Sequence, residues 1–264
     1  MLEISSVKKT FSHKNGESSH VLKDFDLKVE ENKITALIGG NGSGKTTLFN
    51  IISGLIAPDS GELYFYNGKR TDLRKMTPDG IARSGIGRMF QDNHIFKGLS
   101  VIENLLIAHN DTFGELPFIS LIKPTEYEVR ESKRLEQAKE VLKLLFSDNK
   151  SFLKMTDEKA GNLSYGQQRL LGLARLFMQD YKLILLDEPT TGVNPNLISK
   201  ISEIIKMLVS ENKVTVFLIE HNMKFVKDNA DICAFLNDGQ VSQIGMPSEV
   251  INNPFVRKIY LGTE

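Results

Sequence analysis

The chain has 264 residues, with 33 Lys or Arg and 33 Asp or Glu, so its formal net charge is zero. This balance argues against a protein that holds DNA or an acidic lipid surface by bulk charge. A single cysteine, Cys233, excludes an intrachain disulfide and metal sites built from several cysteines. Apolar runs such as 214–219 are far shorter than the roughly 18 residues of a membrane span. Because residues 1–10 lack the apolar segment of a signal peptide, we expect a soluble, cytoplasmic chain.

The first third of the chain is typical of strands joined by turns and short helices. Apolar or alternating residues predict strands at 2–7, 21–29, 34–38, 62–66 and 86–91. Helices are predicted at 45–53, where Gly54 ends the helix, and at 78–84. Asn-Gly pairs at 15–16 and 67–68 predict tight turns.

The pattern changes after Gln91, where helices are predicted at 100–109 and 125–146. From Ser164 onward, helices and buried strands alternate. The predicted helices are 165–178, 195–209, 222–228 and one that begins at Pro254, and the predicted strands are 183–187, 214–220, 232–236 and 241–244. This alternation favours an α/β fold with a mostly parallel, mixed sheet and an antiparallel N-terminal part. We expect a core of 1–91 plus 163–264, with 92–162 inserted as a helical subdomain.

The strongest chemical signal is Gly-Gly-Asn-Gly-Ser-Gly-Lys-Thr at 39–46, between a predicted strand and a predicted helix. It fits the P-loop pattern, whose glycines let backbone N–H groups surround phosphate oxygens at a helix N-terminus. Lys45 is expected to reach the β- and γ-phosphates, and the Thr46 hydroxyl to bind Mg²⁺. A glycine-rich turn with a chance lysine is the alternative. The expected ATP-binding residues of this loop are Gly39, Gly40, Asn41, Gly42, Ser43, Gly44, Lys45, Thr46 and Thr47.

Two acidic residues end the apolar run Leu-Ile-Leu-Leu-Asp-Glu at 183–188. Carboxylates at the end of a buried strand are costly unless they serve a ligand, and in a P-loop fold this strand end lies beside the phosphate site. Asp187 is expected to hold Mg²⁺ through water, and Glu188 to orient and deprotonate the attacking water. The alternative is a helix N-cap pair ahead of Pro189.

The segment 163–168 reads Leu-Ser-Tyr-Gly-Gln-Gln. Ser164 followed by Gln167 three positions later is a capping box, so a helix begins here. A serine and a glycine at a helix N-terminus also form an anion site. Because the P-loop already places this chain's own phosphates, the second anion site indicates completion of another chain's site in a head-to-tail dimer. A helix cap alone is the alternative.

Taken together, these motifs resemble the nucleotide-binding subunit of an ABC transporter, over essentially the whole chain. Residues 163–168 resemble its signature sequence, Gln91 its Q-loop glutamine, His221 its switch histidine and Phe11 its adenine-stacking aromatic. The resemblance implies a P-loop ABC ATPase in which Gln91 touches Mg²⁺ and His221 faces the γ-phosphate. A loop hydrogen bond for Gln91, a structural His221 and a core-packed Phe11 are the alternatives. The resemblance implies contact with the partner subunit's nucleotide for Ser164, Tyr165, Gly166 and Gln167.

A narrower resemblance is to the ATPases of branched-chain amino-acid importers. It is carried by Tyr165 in the second glycine position of the signature and by segments 192–195, 219–223 and 256–262. The ATPase of the lipopolysaccharide exporter shares the last segment and is the alternative. The sequence departs from the family pattern at Gly40, Asn194 and Asn222.

The resemblance implies an ATPase subunit that drives transport. Two subunits, as a homodimer or heterodimer, would enclose two Mg-ATP, bind transmembrane permease subunits and no nucleic acid, and lie on the inner face of the cell membrane. Import of branched-chain or related amino acids is the expected task. A non-transport ABC ATPase acting on ribosomes or DNA is disfavoured, because the chain has one cassette, no net charge and no sustained heptads.

Overall fold

The computed structural model describes residues 1–12, 17–91, 94–108, 124–145 and 155–261. By compactness the chain divides into two units. The first unit contains Met1–Gln91, Tyr181–Thr191 and Ser202–Glu264, and the second contains Asp92–Asp180 and Gly192–Ile201. The helix that begins at Tyr165 groups with the second unit, whereas the sequence analysis assigned it to the core.

The described strands and helices follow the expected α/β order. The strands are β1 (Leu2–Ser12), β2 (Ser18–Val29), β3 (Ile34–Gly39), β4 (Ser60–Asn67), β5 (Lys69–Asp72), β6 (Ile86–Met89), β7 (Leu183–Asp187), β8 (Thr215–Ile219), β9 (Ile232–Asn237) and β10 (Gln240–Gly245). The helices are α1 (Lys45–Ile52), α2 (Pro78–Arg83), α3 (Val101–Ala108), α4 (Pro124–Leu145), α5 (Tyr165–Leu176), α6 (Pro195–Ser210), α7 (Met223–Asn229), α8 (Pro247–Asn252) and α9 (Pro254–Val256).

The larger sheet of the first unit positions the candidate site. Its described strands have the order β10-β9-β3-β8-β7-β6, and they are parallel except for the antiparallel β9–β10 pair. Every residue of β3, β7 and β8 is buried, as expected for strands covered on both faces. Leu37 of β3 pairs with Ile219 of β8, and Ile219 pairs with Asp187 of β7. The carboxyl ends of these three strands therefore meet at one edge of the sheet.

The smaller sheet, of order β2-β1-β4-β5, is antiparallel, which confirms the expected N-terminal β part. Its apolar face joins a core cluster that includes Phe25 and Phe65 from this sheet and Phe49 from α1. The Phe49 ring meets Phe217 of β8 at a centroid distance of 5.0 Å. Full burial of each such ring stabilises the fold by about 1.5–3 kcal/mol, so α1 is fixed firmly against both sheets.

The second unit is helical in its described residues, and α3 packs against α4 and α5. Asn104 of α3 is completely buried. Its side-chain amide nitrogen donates to the carbonyls of Phe96 and Ser100 at 3.0 and 2.9 Å, and its side-chain oxygen accepts from the Phe96 N–H at 2.8 Å. These bonds fix the turn that precedes α3 and satisfy a buried polar side chain.

Several elements differ from the sequence expectation. The strand β5 and the helix α8 were not predicted, and the final predicted helix is α9 followed by a π-helical turn at Arg257–Leu261. The predicted turn at 15–16 lies outside the described residues. None of the helices in the described ranges combines the length and the apolar character that crossing a bilayer requires.

Candidate active site

Three neighbouring strands deliver the predicted site residues to one cavity of about 370 Å³ in the first unit. The P-loop follows β3, Glu188 follows β7, and His221 lies two residues beyond β8. Phe11 of β1 lies on the same cavity wall. The predicted residues that line the cavity are Phe11, Asn41, Gly42, Ser43, Gly44, Lys45, Thr46, Thr47, Glu188 and His221.

Lys45 is buried at the floor of this cavity. Its Nζ donates to the carbonyl oxygens of Gly39 and Gly40, both at 2.8 Å. Burial lowers the pKa of Lys45, while the negative charges of Glu188 and Asp187 act in the opposite direction. A polyphosphate in the cavity would stabilise the ammonium ion further, because it places more negative charge beside a desolvated cation.

Two P-loop glycines are required by close packing. A Cβ on Gly39 would lie 2.4 Å from the carbonyl oxygen of Leu236. Gly44 has a φ of 108°, and a Cβ there would lie 2.9 Å from the carbonyl oxygen of Val21. A Cβ on Gly40 would meet no atom within 4 Å, so a side chain fits at this position.

The first turn of α1 faces the loop. Gly44 is the N-cap residue of α1, and no side chain within the described residues caps the helix. The first N–H groups of an α-helix have no partner within the helix, and its N-terminus carries a partial positive charge. The backbone N–H groups of the P-loop and of α1, together with the Lys45 ammonium ion, are thus suited to bind one anion such as a phosphate.

Glu188 occupies the centre of a hydrogen-bonded group opposite the P-loop. Its Oε1 lies 3.1 Å from Nε2 of His221, and its Oε2 accepts from Nε2 of Gln91 and from Oγ1 of Thr191, each at 3.1 Å. The backbone of Glu188 is left-handed, with a φ of 49°, a conformation that non-glycine residues rarely adopt outside functional or tightly held sites. The Glu188 carboxylate beside the cavity is therefore contacted by both His221 and Gln91.

Glu220 was not singled out in the sequence, yet it connects two of the strand ends. Its buried carboxylate accepts hydrogen bonds from the N–H and the hydroxyl of Thr190 at 2.9 and 2.6 Å. It also accepts from the N–H groups of His221 and Asn222 at 2.8 and 3.0 Å. The loop that follows Glu188 is thereby fixed to the loop that carries His221. An acidic residue directly after an apolar strand was the signal that could have identified it.

Asp187 forms a buried ion pair that the sequence analysis also missed. Nη2 of Arg88 lies 3.3 Å from Oδ2 of Asp187, and the side chains are only 6% and 2% exposed. Nη1 of Arg88 donates to Oδ1 of Asn50 and Oγ of Ser53. Burial lowers the pKa of Arg88, and Asp187 acts in the opposite direction. Arg88 thus orients the Asp187 carboxylate from the strand next to it.

The three residues expected at the metal supply the oxygen ligands that Mg²⁺ prefers: a hydroxyl from Thr46, a carboxylate from Asp187 and an amide oxygen from Gln91. Thr46 is exposed at the cavity. The amide nitrogen of Gln91 donates to Glu188, so its amide oxygen is the atom suited to a cation. This donor set fits Mg²⁺.

The signature residues lie in the second unit, at the start of α5. Oγ of Ser164 accepts from the Gln167 N–H at 3.4 Å, and Oε1 of Gln167 accepts from the Ser164 N–H at 2.9 Å. The predicted capping box is therefore present. Tyr165 is about half exposed, and Gly166 follows it in the first turn. A Cβ on Gly192 would lie 3.0 Å from the Tyr165 ring, so these two residues are in close contact.

A mostly parallel sheet that brings a P-loop, a strand-end glutamate and a histidine to one cavity is typical of a P-loop nucleotide hydrolase. Residues 22–191 match the family model described as ABC transporter. The chain belongs to the ABC transporter family, as its motifs predicted.

The relatives agree with this assignment over nearly the whole chain. The high-affinity branched-chain amino acid transport ATP-binding protein BraF of Pseudomonas aeruginosa is 36% identical over 90% of this chain and 90% of that protein. A nucleotide-free ATP-binding cassette from an ABC transporter has a TM-score of 0.80, 31% identity and coverage of 100% and 99% of the two chains. A dimeric post-hydrolysis cassette bound to ADP and Pi has a TM-score of 0.75 and 26% identity, with coverage of 94% and 99%. The chain is an ATP-binding and ATP-hydrolysing subunit of an ABC transporter.

Replacing Lys45 with alanine is expected to weaken ATP binding roughly 10- to 100-fold, because charge-assisted hydrogen bonds from a buried cation are lost. Isothermal titration with a non-hydrolysable ATP analogue measures the change. Lys33→Ala removes an exposed lysine of the same unit and should leave affinity unchanged. Equal affinity in the Lys45 variant would contradict the phosphate-binding role of the loop.

Proposed function

We propose that this ATPase energises the import of branched-chain or related amino acids, as one half of a dimer that encloses two Mg-ATP beneath membrane permeases. The observation that carries the ATPase mechanism is the contact of Glu188 with both His221 and Gln91, each at 3.1 Å, beside the P-loop cavity. The cargo is supported by the name of the similar protein BraF, a branched-chain amino acid transport ATP-binding protein.

In the proposed mechanism, the P-loop N–H groups and Lys45 bind the triphosphate while the Phe11 ring stacks on the base. The Glu188 carboxylate orients a water molecule in line with the γ-phosphate and accepts its proton. His221, held against Glu188, donates a hydrogen bond to the γ-phosphate. Thr46, Asp187 and Gln91 would hold Mg²⁺, which would supply positive charge beside the triphosphate.

The dimer is supported by the second anion site of the sequence. Ser164, Tyr165, Gly166 and Gln167 begin a helix in the unit that does not contain the P-loop. In the proposed head-to-tail arrangement they contact the nucleotide held by the partner's P-loop. The dimeric architecture of the similar cassette bound to ADP and Pi supports this arrangement.

A second, mostly apolar cavity of about 230 Å³ supports the permease contact. Its lining includes Leu55, Ile81, Phe90 and Tyr181, and Leu55 is half exposed. Phe90 directly precedes Gln91, which donates to Glu188. We infer that a cytoplasmic helix of the permease occupies this groove with apolar side chains, so that its movement reaches the site of hydrolysis through Gln91. The protein would then lie on the inner face of the cell membrane.

Substituting Ser164 with arginine should leave ATP binding by the dilute monomer nearly intact and stop hydrolysis, because the residue would serve the partner's nucleotide. Binding is measured by titration at low protein concentration and hydrolysis by phosphate release. Ser132→Arg, at an exposed position of α4 in the same unit, is the matched control and should hydrolyse ATP normally. Equal loss of monomer binding and hydrolysis in Ser164→Arg would contradict the shared site.

Glu188→Gln retains the shape of the side chain but cannot accept the proton of the water. Loss of a general base typically lowers the rate by about 10²–10⁴. ATP binding should survive, because Lys45 and the loop N–H groups hold the phosphates. Since hydrolysis reopens the dimer in the proposed cycle, the variant should accumulate an ATP-dependent dimer by mass action. Light scattering with ATP and with ADP measures the change, together with phosphate release.

The wild-type protein with ATP should scatter mainly as monomer, and Glu188→Gln with ADP should do the same. Glu211→Gln, an exposed residue at the end of α6, is the matched control and should behave as wild type. If the native partner is a related subunit, the mixed pair is measured in the same way. Undiminished hydrolysis by Glu188→Gln, without an ATP-dependent dimer, would remove Glu188 from the role of base.

Reconstitution with the permease subunits that co-purify with this protein tests the cargo. Proteoliposomes that contain the permeases, this subunit and the associated binding protein should take up labelled leucine only when ATP is supplied on the side of this subunit. The same vesicles with Glu188→Gln should take up none. ATP-dependent extraction of lipid without any amino-acid uptake would contradict the import proposal while leaving the ATPase assignment intact.

A further inference from the structure

We propose that Tyr260 is a positioning residue for hydrolysis, which holds His221 in the tautomer that carries its proton on Nε2. The inference rests on the proposed function, because it assigns Tyr260 a task through His221. Tyr260 lies 39 positions beyond His221 in sequence, in the turn Arg257–Leu261 near the end of the described chain. None of the motifs of the sequence analysis includes it as a functional residue.

Both ring nitrogens of His221 have identified neighbours. Nδ1 lies 2.6 Å from the Tyr260 hydroxyl, and Nε2 lies 3.1 Å from Oε1 of Glu188. The His221 and Tyr260 rings are nearly parallel, with a centroid distance of 6.1 Å and an interplanar angle of 14°. The orientation of the imidazole is therefore fixed from two opposite sides.

The chemistry of these neighbours determines the tautomer of a neutral imidazole. The Glu188 carboxylate is placed to accept a hydrogen bond from Nε2 at 3.1 Å, and this contact favours the tautomer with the proton on Nε2. Donation from the Tyr260 hydroxyl to Nδ1, at 2.6 Å, favours the same tautomer, so loss of this donor should let the other tautomer become populated. This arrangement keeps the N–H donor on Nε2, beside the cavity-lining Glu188, and the γ-phosphate of bound ATP would accept it in place of Glu188.

Tyr260 is suited to remain a donor. Burial, followed by the negative charges of Glu220 and Glu188, raises the pKa of Tyr260 to about 12. The phenol therefore retains its proton throughout the neutral range. A serine or a water molecule could also donate to Nδ1, but neither would add a flat ring stacked along the imidazole.

The Tyr260 ring is anchored to the same sheet that carries the P-loop. It packs edge-on against Phe235 of β9, with a centroid distance of 6.4 Å and an interplanar angle of 88°. Phe255 of α9 packs against the same Phe235 ring in a similar edge-on geometry, also at 6.4 Å. Since β9 is the neighbour of β3, the position of the phenol is tied to the strand that leads into the P-loop.

The tautomer of His221 is measured by nitrogen NMR of ¹⁵N-histidine-labelled protein without nucleotide, at a pH where the imidazole is neutral. The His221 signal is assigned by its absence in His221→Gln. In the wild-type protein we expect one tautomer, with the proton on Nε2. Tyr260→Phe retains the ring but removes the donor, so we expect a mixture of the two tautomers. A wild-type His221 protonated on Nδ1, or an unchanged tautomer in Tyr260→Phe, overturns the proposal.

The kinetic consequence is a loss in kcat rather than in nucleotide affinity. Tyr260→Phe is expected to lower kcat roughly two- to tenfold, the factor that one net hydrogen bond supplies, with little change in KM for ATP. Phe255→Leu is the matched control, because it reduces the packing of the same segment on Phe235 and leaves the Tyr260 hydroxyl in place. The control should retain the wild-type tautomer and kcat. An equal loss of kcat in both variants would assign the effect to packing of the segment and overturn the proposal.

A double variant separates this inference from the proposed function. Because Tyr260 acts through His221, adding Tyr260→Phe to His221→Gln should reduce hydrolysis no further than His221→Gln alone. An additive loss in the double variant would overturn the proposal. Wild-type hydrolysis by His221→Gln would instead contradict the role of His221 in the proposed function, and the NMR measurement would still decide whether Tyr260 fixes the tautomer.

Discussion

Leu37 pairs with Ile219, and Ile219 with Asp187, so the parallel strands β3, β8 and β7 end at nearly the same level. Every other feature of the site depends on this register. The loops that follow these strands therefore all begin at the same edge of the sheet. There the P-loop, Glu188 and His221 line one cavity. A slip of one residue would turn the end of β7 over and direct the Asp187 side chain to the opposite face. Burial of all three strands on both faces makes such a slip costly.

Three acidic residues, Asp187, Glu188 and Glu220, lie at this edge of the sheet, and each has a different environment. Asp187 is paired with the buried guanidinium of Arg88. The Glu220 carboxylate accepts four hydrogen bonds. Two come from Thr190, and two come from the N–H groups of His221 and Asn222. Glu188 alone among them lines the cavity, and its neighbours Gln91 and His221 are side chains that can exchange one partner for another. These differences in environment support the separate roles proposed for the three carboxylates: a metal ligand for Asp187, a structural brace for Glu220 and a base for Glu188.

The parts of the site that could be predicted are those marked by a short, contiguous sequence pattern. The P-loop, the Asp187–Glu188 pair and the capping box of Ser164 are short contiguous sequences, each with its own physical logic, and the structure places all of them as elements of the expected kind. Gln91 and His221 were found only through the family resemblance, since a single glutamine or histidine has no local signature. Arg88 and Tyr260 were missed because their contacts span 99 and 39 residues and depend on how the sheet is assembled. The short strand β5 was missed because Lys-Arg-Thr-Asp has no apolar residue.

The two helix N-termini to which nucleotide binding is assigned in the proposed function differ in how their N–H donors are satisfied. The first turn of α1 follows a glycine and has no side-chain cap within the described residues. Hydrogen bonds from its N–H groups to an anion are therefore strongly stabilising. The first turn of α5 already has a complete capping box, in which Ser164 and Gln167 satisfy each other. Because the box already occupies two N–H groups, an anion at α5 has fewer donors to bind and a smaller net gain. Within the proposed cycle, this difference favours an order in which ATP binds the P-loop first and the partner's signature closes on it afterwards.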